Sequence, residues 1–557
     1  MPYKFDRLPW EILHQIFDFL NTTDLLHAFN GTNPYLDSIL QSYHRIQLNF
    51  KSIKKSLFHY ICERVYPEQI QSLVLSNDEH TPKQIQLFML HLPLINCINL
   101  QSLTIHGIDD ANLLCLMISY LENHTKLNFL SISSQSIQIN KKLCRSIMET
   151  LTTLSSLKYL TFLNSSTLTF LRQPLSKLTH LTIHSCSYTD LANIFRWIPN
   201  LTHLQISVSY DQTMPKFDYI PPHLNSLMIE SKSWILFHHL ENLFSLTSSL
   251  ERLVLETYGE PTLLHGQRWE SLIKNKLPHL KDLALNIMPE ENTMTADEVL
   301  TPFQTPFWTK EKHWQMGCFM STSIQSCARL FSVPHFAPFE DWYPLNQGFS
   351  NHLLNDVRSL NPYPFDDNCK HLKIYHFPTP VAVSLPFKNI QTLSIQCTAD
   401  NIDQLRSILN LLSIHHLIID YLKGCLVFHD LIQAAPNVSQ LTMRGQALTH
   451  ILNSLSNNER TYEQIKSLHI KDVIHRNDID QICRIFPKLE HISLHVKERN
   501  DILPIFEKLH YLISTTVQWF YSNRTSLSVM EEFLQENNIC TDGAYEFFAS
   551  SLNLWND

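Results

Sequence analysis

From about residue 70 onward the chain repeats one arrangement of hydrophobic and polar positions. An apolar residue, two variable ones, a leucine, one variable residue and a second apolar residue stand as LQSLTI, LNFLSI, LKYLTF, LTHLTI, LTHLQI, LNSLMI, LERLVL and LKDLAL. After a break come IQTLSI, IHHLII, VSQLTM, IKSLHI and LEHISL. The central residues are Leu103, Leu130, Leu160, Leu181, Leu204, Leu227, Leu253 and Leu283, then Leu393, Leu417, Leu441, Leu468 and Ile492, at intervals of 21 to 30 residues within each run. IQSLVL around Leu73 is an earlier member. Apolar alternation over so few residues predicts a short strand with one face inward. Several intervening segments, such as TDLANIFRWIP and DQICRIFP, carry helical spacing instead, and Pro-x-apolar opens the next strand at Pro199, Pro278, Pro436 and Pro487. One such unit cannot bury its own leucines, whereas stacked neighbours can.

This spacing resembles that of the leucine-rich repeat family, whose units run roughly 20 to 29 residues. The stretch LTHLTIHSC (Leu178 to Cys186) also fits the family's fuller LxxLxLxxC pattern. The resemblance implies an α/β solenoid, a single curved parallel sheet with outer helices, in two parts at residues 68–290 and 371–510. The phase is lost across 291–370, where TPFQTPFWTKEKHWQMGCFM and FSVPHFAPFEDWYPLNQGF are rich in aromatics and proline. A strand pair is expected around His313 to Met320. The favoured reading of this insertion is a segment folded against the end of the first array; the other is a projecting element that touches a partner. In residues 511–557, TTVQWFY and SVMEEFLQ predict a last strand and a C-terminal cap.

The N-terminal stretch has a different period. In FDRLPWEILHQIFDFL the residues Leu8, Ile12, Leu13, Ile16, Phe17 and Leu20 fall on one wide helical stripe. A second helix is expected behind Thr23 as N-cap, carrying Leu25, Leu26, Ala28 and Phe29, and a third behind Asn33–Pro34, carrying Tyr35, Leu36, Ile39 and Leu40. Residues 46–67 read as a helical linker. Three short helices in about 40 residues cannot build a large core, so the remaining apolar surface either caps the first repeat or meets a partner.

Residues 1–45 resemble the F-box family. The family's opening pattern, Leu-Pro-x-Glu-Ile/Leu-Leu-x-x-Ile-Phe/Leu-x-x-Leu, stands here as LPWEILHQIFDFL, and its Asp-Leu-Leu element as Asp24-Leu25-Leu26. The family's Val-Cys-Arg-x-Trp segment is replaced by GTNPYLDSIL. The resemblance implies a non-catalytic substrate receptor of a ubiquitin ligase. Its F-box would dock on a Skp-type adaptor, and through it on a cullin–RING scaffold, while the repeats hold a substrate protein. The residues expected at the adaptor are Leu8, Pro9, Glu11, Ile12, Ile16, Leu20 and Leu25, with Glu11 placed where the helix dipole favours an acid. The alternative is a repeat scaffold without ligase function. Strand residues flanking the inward pair should face the concave side, so the expected substrate contacts are His180, Thr182, His184, His203, Gln205, Glu230, Arg252 and Arg444. That face should be mostly polar. His180, His203 and His184 are also a remote candidate for metal binding or pH sensing, weighed below ordinary exposed histidines.

Composition narrows the alternatives. Among 557 residues there are 43 Lys and Arg against 52 Asp and Glu, a net charge of −9 that supplies no basic excess for nucleic acid. Nine glycines form neither GxGxxG nor GxxxxGK[ST], no HExxH or GxSxG occurs, and Ser52-Ile-Lys-Lys55 matches SxxK without a companion motif. No enzyme and no cofactor is expected. Twelve cysteines include no CxxC pair and read as reduced core thiols, so no metal site is expected. No secretory signal is legible, and the longest apolar runs, such as Leu113 to Leu121, are about half a membrane span. The expected location is cytoplasmic, nuclear or both.

Overall fold

The computed structural model describes residues 5, 8–134, 140–162, 168–208, 217–289, 294–321, 328–333, 341–342, 349–353, 370–374, 389–395, 405–406, 409–420, 425–455, 460–519, 527–537, 539, 545–548 and 551–556. The fold is α/β, with a large, mostly parallel sheet system and return helices between its strands. Each repeat centre named above lies on a strand, and within each of two sheets it is aligned with the centre of the next repeat. In the first sheet Leu48, Leu73, Leu103, Leu130, Leu160, Leu181, Leu204, Leu227, Leu253 and Leu283 are successive partners. In the second the row is Leu372, Leu393, Leu417, Leu441, Leu468, Ile492 and Thr515. Helices in the returns are opened by side-chain caps where the sequence supplies them: Asp110 for Ala111–Tyr120, Asn140 for Lys141–Thr153 and Ser187 for Tyr188–Trp197.

Three expectations need correction. The sheet starts before residue 68, because Ile46–Asn49 in the supposed linker pairs in parallel with Ile70–Ser76; the linker also holds a helix, Lys55–Cys62. Among the described residues the strands form two sheets, of 13 and 10 strands, not one. The cause lies in the aromatic insertion. Its strand Ala328–Val333 pairs antiparallel with Asp282–Pro289 and so occupies the edge on which the next repeat would have added. Gln315–Ser321 and Phe349–Leu353 extend that antiparallel end, while Asp341–Trp342 starts the second sheet beside His371–Ile374. The expected strand pair near His313 to Met320 is present as Gln315–Ser321 with Ala328–Val333, and these described strands of the insertion pack on the end of the first array. Phe303, Phe307, Trp308 and Trp314 are buried there in mutual contact. The third correction is the cap of the second helix, which is Asn21; its side chain accepts from the Asp24 N–H at 2.9 Å, while Thr23 lies inside the helix.

Ser514–Trp519 adds in parallel to His491–Val496, as TTVQWFY predicts, and Ser551–Trp555 and Tyr545–Phe548 follow antiparallel. These last strands reach the first ones. Trp555 is fully buried: its ring stands edge-on to Phe58 at 5.2 Å, and its Nε1–H donates to the Ile53 carbonyl at 2.9 Å. Nearby, His80 and His491 lie 4.6 Å apart and share the Ser514 hydroxyl, at 2.9 and 2.7 Å. Lys83 sits over the Tyr545 ring at 5.0 Å. The first hydrophobic core accordingly takes in Trp555 and Ile513 as well as the early repeats. Cys62 and Cys97 are buried free thiols, and burial pushes them and Cys318 up to about 12. No helix among the described residues is long and apolar enough to cross a membrane.

Two outcomes follow from this seam. Trp555→Ala removes a buried aromatic and one hydrogen bond, and should cost about 3–5 kcal/mol in chemical denaturation; an unchanged midpoint would mean that the two ends do not pack. Burial, then the facing His80, lowers His491 to about 4, with Glu490 and Asp78 opposing. His416, His469 and His495 are lowered too, first by burial. A histidine held low binds fewer protons folded than unfolded, so its contribution is present above pH 6.5 and lost as pH falls from about 6.5 to 4. Urea midpoints should decline across that window, and His491→Asn should flatten the decline. An equal slope in the variant would remove His491 from the account.

Candidate functional site

Two surfaces carry the sequence-predicted residues. The first is the N-terminal helical module, made of α1 (Trp10–Phe17), α2 (Thr22–Phe29) and α3 (Pro34–Ser42). Leu13, His14 and Phe17 of α1 turn inward, where Phe17 packs against Phe29 at 4.9 Å and Tyr43 at 5.4 Å. Asn33 caps α3 by accepting from the Leu36 N–H, with Pro34 in the first turn, as the sequence implies. The Tyr43 hydroxyl donates to Asp18 at 2.7 Å; burial and that carboxylate raise its pKa. The module is tied to the repeats by Thr22 donating to Gln47 O at 2.7 Å and Gln69 Nε2 donating to Leu40 O at 2.6 Å. It thus serves as a cap through its inner face.

Its outer face stays apolar. Ile12 is 41% exposed, Trp10 55% and Phe19 90%, with Phe5 and Tyr35 also exposed. Pro9 and Glu11 are exposed, while Leu8, Ile16 and Leu20 are half-buried against the core. Leu25 is a correction: at 2% exposure it belongs to the interior and offers no surface. Trp10 and Phe19 were absent from the expected set. For Phe19 a signal was available, since Ile12, Ile16 and Phe19 follow one another at helical spacing, although the helix ends at Phe17 and leaves Phe19 in the turn.

The second surface is the open face of the first sheet. Register aligns His180, His203, Ser226, Arg252 and Asp282 in one row, and Thr182, Gln205, Met228 and Val254 in the next. Glu230 falls beside Glu256, and His184 is exposed where the pairing is irregular. Arg444 directly follows the strand Gln440–Met443 of the second sheet, so the eight expected contacts do not form one site. Nor is the face polar throughout: Val254 and Ala284 are buried at 8% and 3%. Arg252 pairs with Asp282 at 3.1 Å, and Asp420 is shared by Arg444 at 3.5 Å and Lys471 at 3.0 Å.

The histidines are arranged as a stack. His180 and His203 lie 4.1 Å apart and 12° from parallel, and each Nδ1 is 2.9 Å from the hydroxyl of the preceding threonine, Thr179 or Thr202. Burial comes first in holding both below the ordinary histidine value, followed for His180 by His203 and for His203 by Arg252. Stacked rings present no converging lone pairs, and among the described residues no three metal-ligating side chains gather. No protein-family model matches the chain, and no curated protein is significantly similar to it.

Because the Arg252–Asp282 pair is exposed, Arg252→Glu should cost no more than about 1 kcal/mol in chemical denaturation. A larger loss would show that the pair holds the two strands together and would disqualify the variant as a probe of binding.

Proposed function

We propose that the protein is a substrate receptor of a cullin–RING ubiquitin ligase, with the N-terminal module docking on a Skp-type adaptor and the repeats holding the substrate protein. The observation that carries this reading is the apolar surface that α1 and the turn after it leave uncovered. A short helix that buries Leu13 and Phe17 inside its own module, yet leaves Trp10 and Ile12 outside with Phe19 in the turn that follows, has surface to bury against another protein. The resemblance of LPWEILHQIFDFL to the F-box gives that stripe its partner. The contribution to ubiquitin transfer is proximity: a bound substrate presents its lysines at high effective concentration to a conjugating enzyme on the same assembly. The chain's own residues bind and position; the transfer belongs to other subunits.

Co-purification with a Skp-type adaptor tests the reading. Ile12→Glu with Phe19→Glu removes two apolar contacts worth roughly 1.5–3 kcal/mol each when buried, so affinity should fall at least about 100-fold. The melting temperature should hold, because neither side chain belongs to the core. Wild-type protein that does not bind the adaptor, or a double variant that binds as tightly, would leave the repeats as a scaffold without ligase function.

A further inference from the structure

We propose that the starts of strands Phe129–Ile132, Tyr159–Phe162 and His180–Cys186 form a binding surface for an acidic peptide segment that carries aromatic side chains. Two features adjoin there. The first is a row of rings on the open face. Phe129 and Tyr159 lie 6.2 Å apart, Tyr159 and His180 4.2 Å, and His180 and His203 4.1 Å. Register puts one ring on each successive strand, and Tyr159 is 40% exposed. The row is an aromatic strip, with ring edges available for edge-to-face contact with a ligand's aromatic side chain.

The second feature is a groove of about 490 Å³ lined by Gln101, Asn128 and Lys158 at the strand starts, with Lys126, Ser156 and Lys177 among its other lining residues. Asn128 and Lys158 immediately precede Phe129 and Tyr159, so groove and ring row share a border. No acidic residue lines the groove. That is unusual for this chain, whose net charge is −9. At the equivalent strand start Lys281 is neutralised by Glu251 of the neighbouring repeat at 2.9 Å, and in the second sheet Lys466 by Glu490 at 3.2 Å. The residues that flank Lys158 along the same backbone ladder are Asn128 and Thr179, and Lys126 donates to the neutral Asn99 at 2.6 Å. Three ammonium groups without a carboxylate among them complement an anionic ligand.

Single-stranded nucleic acid also combines anions with rings. The peptide is favoured because three lysines are a short basic patch on an acidic protein, too few to offset long-range repulsion of a polyanion. This surface stands whether or not the helical module engages an adaptor.

The test uses the full chain and fluorescence anisotropy at low salt, with three probes: a random Glu–Tyr copolymer, polyglutamate of equal charge, and oligothymidylate of equal charge. The copolymer should bind most tightly. Combining Lys126→Glu, Lys158→Glu and Lys177→Glu should weaken it by about tenfold or more, and the three Gln substitutions by less. Tyr159→Ser should bring the copolymer down toward polyglutamate. A copolymer that does not bind, or binds the triple Glu variant equally, would overturn the proposal. So would oligothymidylate binding more tightly than the copolymer, which would make this a nucleic-acid surface. Should the Glu variants unfold, the Gln variants decide by the same criterion. Adaptor binding is measured on the same samples. Its loss with copolymer binding intact counts against the ligase reading alone, and the converse counts against this surface alone.

Discussion

A leucine lying between two leucines of adjacent strands is the contact on which the molecule depends. Leu103, Leu130 and Leu253 are fully buried, and Leu181 and Leu204 are only 2% exposed, because each is covered by its counterparts one strand away. Deleting a buried leucine side chain costs about 2–5 kcal/mol, and here the hole would be shared by three repeats. The same alignment creates the functional surfaces. Once the leucines are in register, the residue before each is in register too. The ring row and the lysine groove are thus consequences of core packing, with only the residue types left for selection to choose.

The helical module obeys a related constraint. α1 and the turn after it are apolar on two sides, and the module with its attached strands covers the side of Leu13 and Phe17. Asp18, held by the Tyr43 hydroxyl and by Arg45 at 2.8 Å, fixes the end of α1 against the chain that enters the first strand. The inner stripe therefore joins the repeats in one continuous core, and a partner on the outer stripe would be coupled rigidly to the sheet.

What could be read in the sequence depended on period. The repeat centres were legible because apolar-x-x-Leu-x-apolar recurs, and the strand at Leu48 was missed because Arg45 stands where the pattern opens with an apolar residue. Arg45 is there to pair with Asp18. Asn21 and Thr23 are both good helix caps by type; Asn21 takes the position because Thr22 already begins the helix and bonds to Gln47. The division into two sheets was hidden because Ala328–Val333, which closes the edge of the first array, departs from the repeat pattern: Ser332 stands where the second apolar residue belongs. On the open face, residue types and rows were legible, but not the Arg252–Asp282 and Arg444–Asp420 pairs, which join residues about 24 to 30 apart through register alone.

The contact between Trp555 and Ile53 spans 502 residues of chain, and this gives the fold a direction in time. At a synthesis rate of about 5–20 residues per second, Phe58 and Ile53 emerge on the order of half a minute or more before the side chain that covers them exists. The early repeats can stack as they appear, since each needs only its neighbour. Their first edge stays uncovered until the far end is made. During that interval the nascent chain exposes apolar surface that chaperones recognise, and any product broken off before Trp555 keeps it exposed. The early core is thus closed late in synthesis, by strands far downstream of the residues they cover.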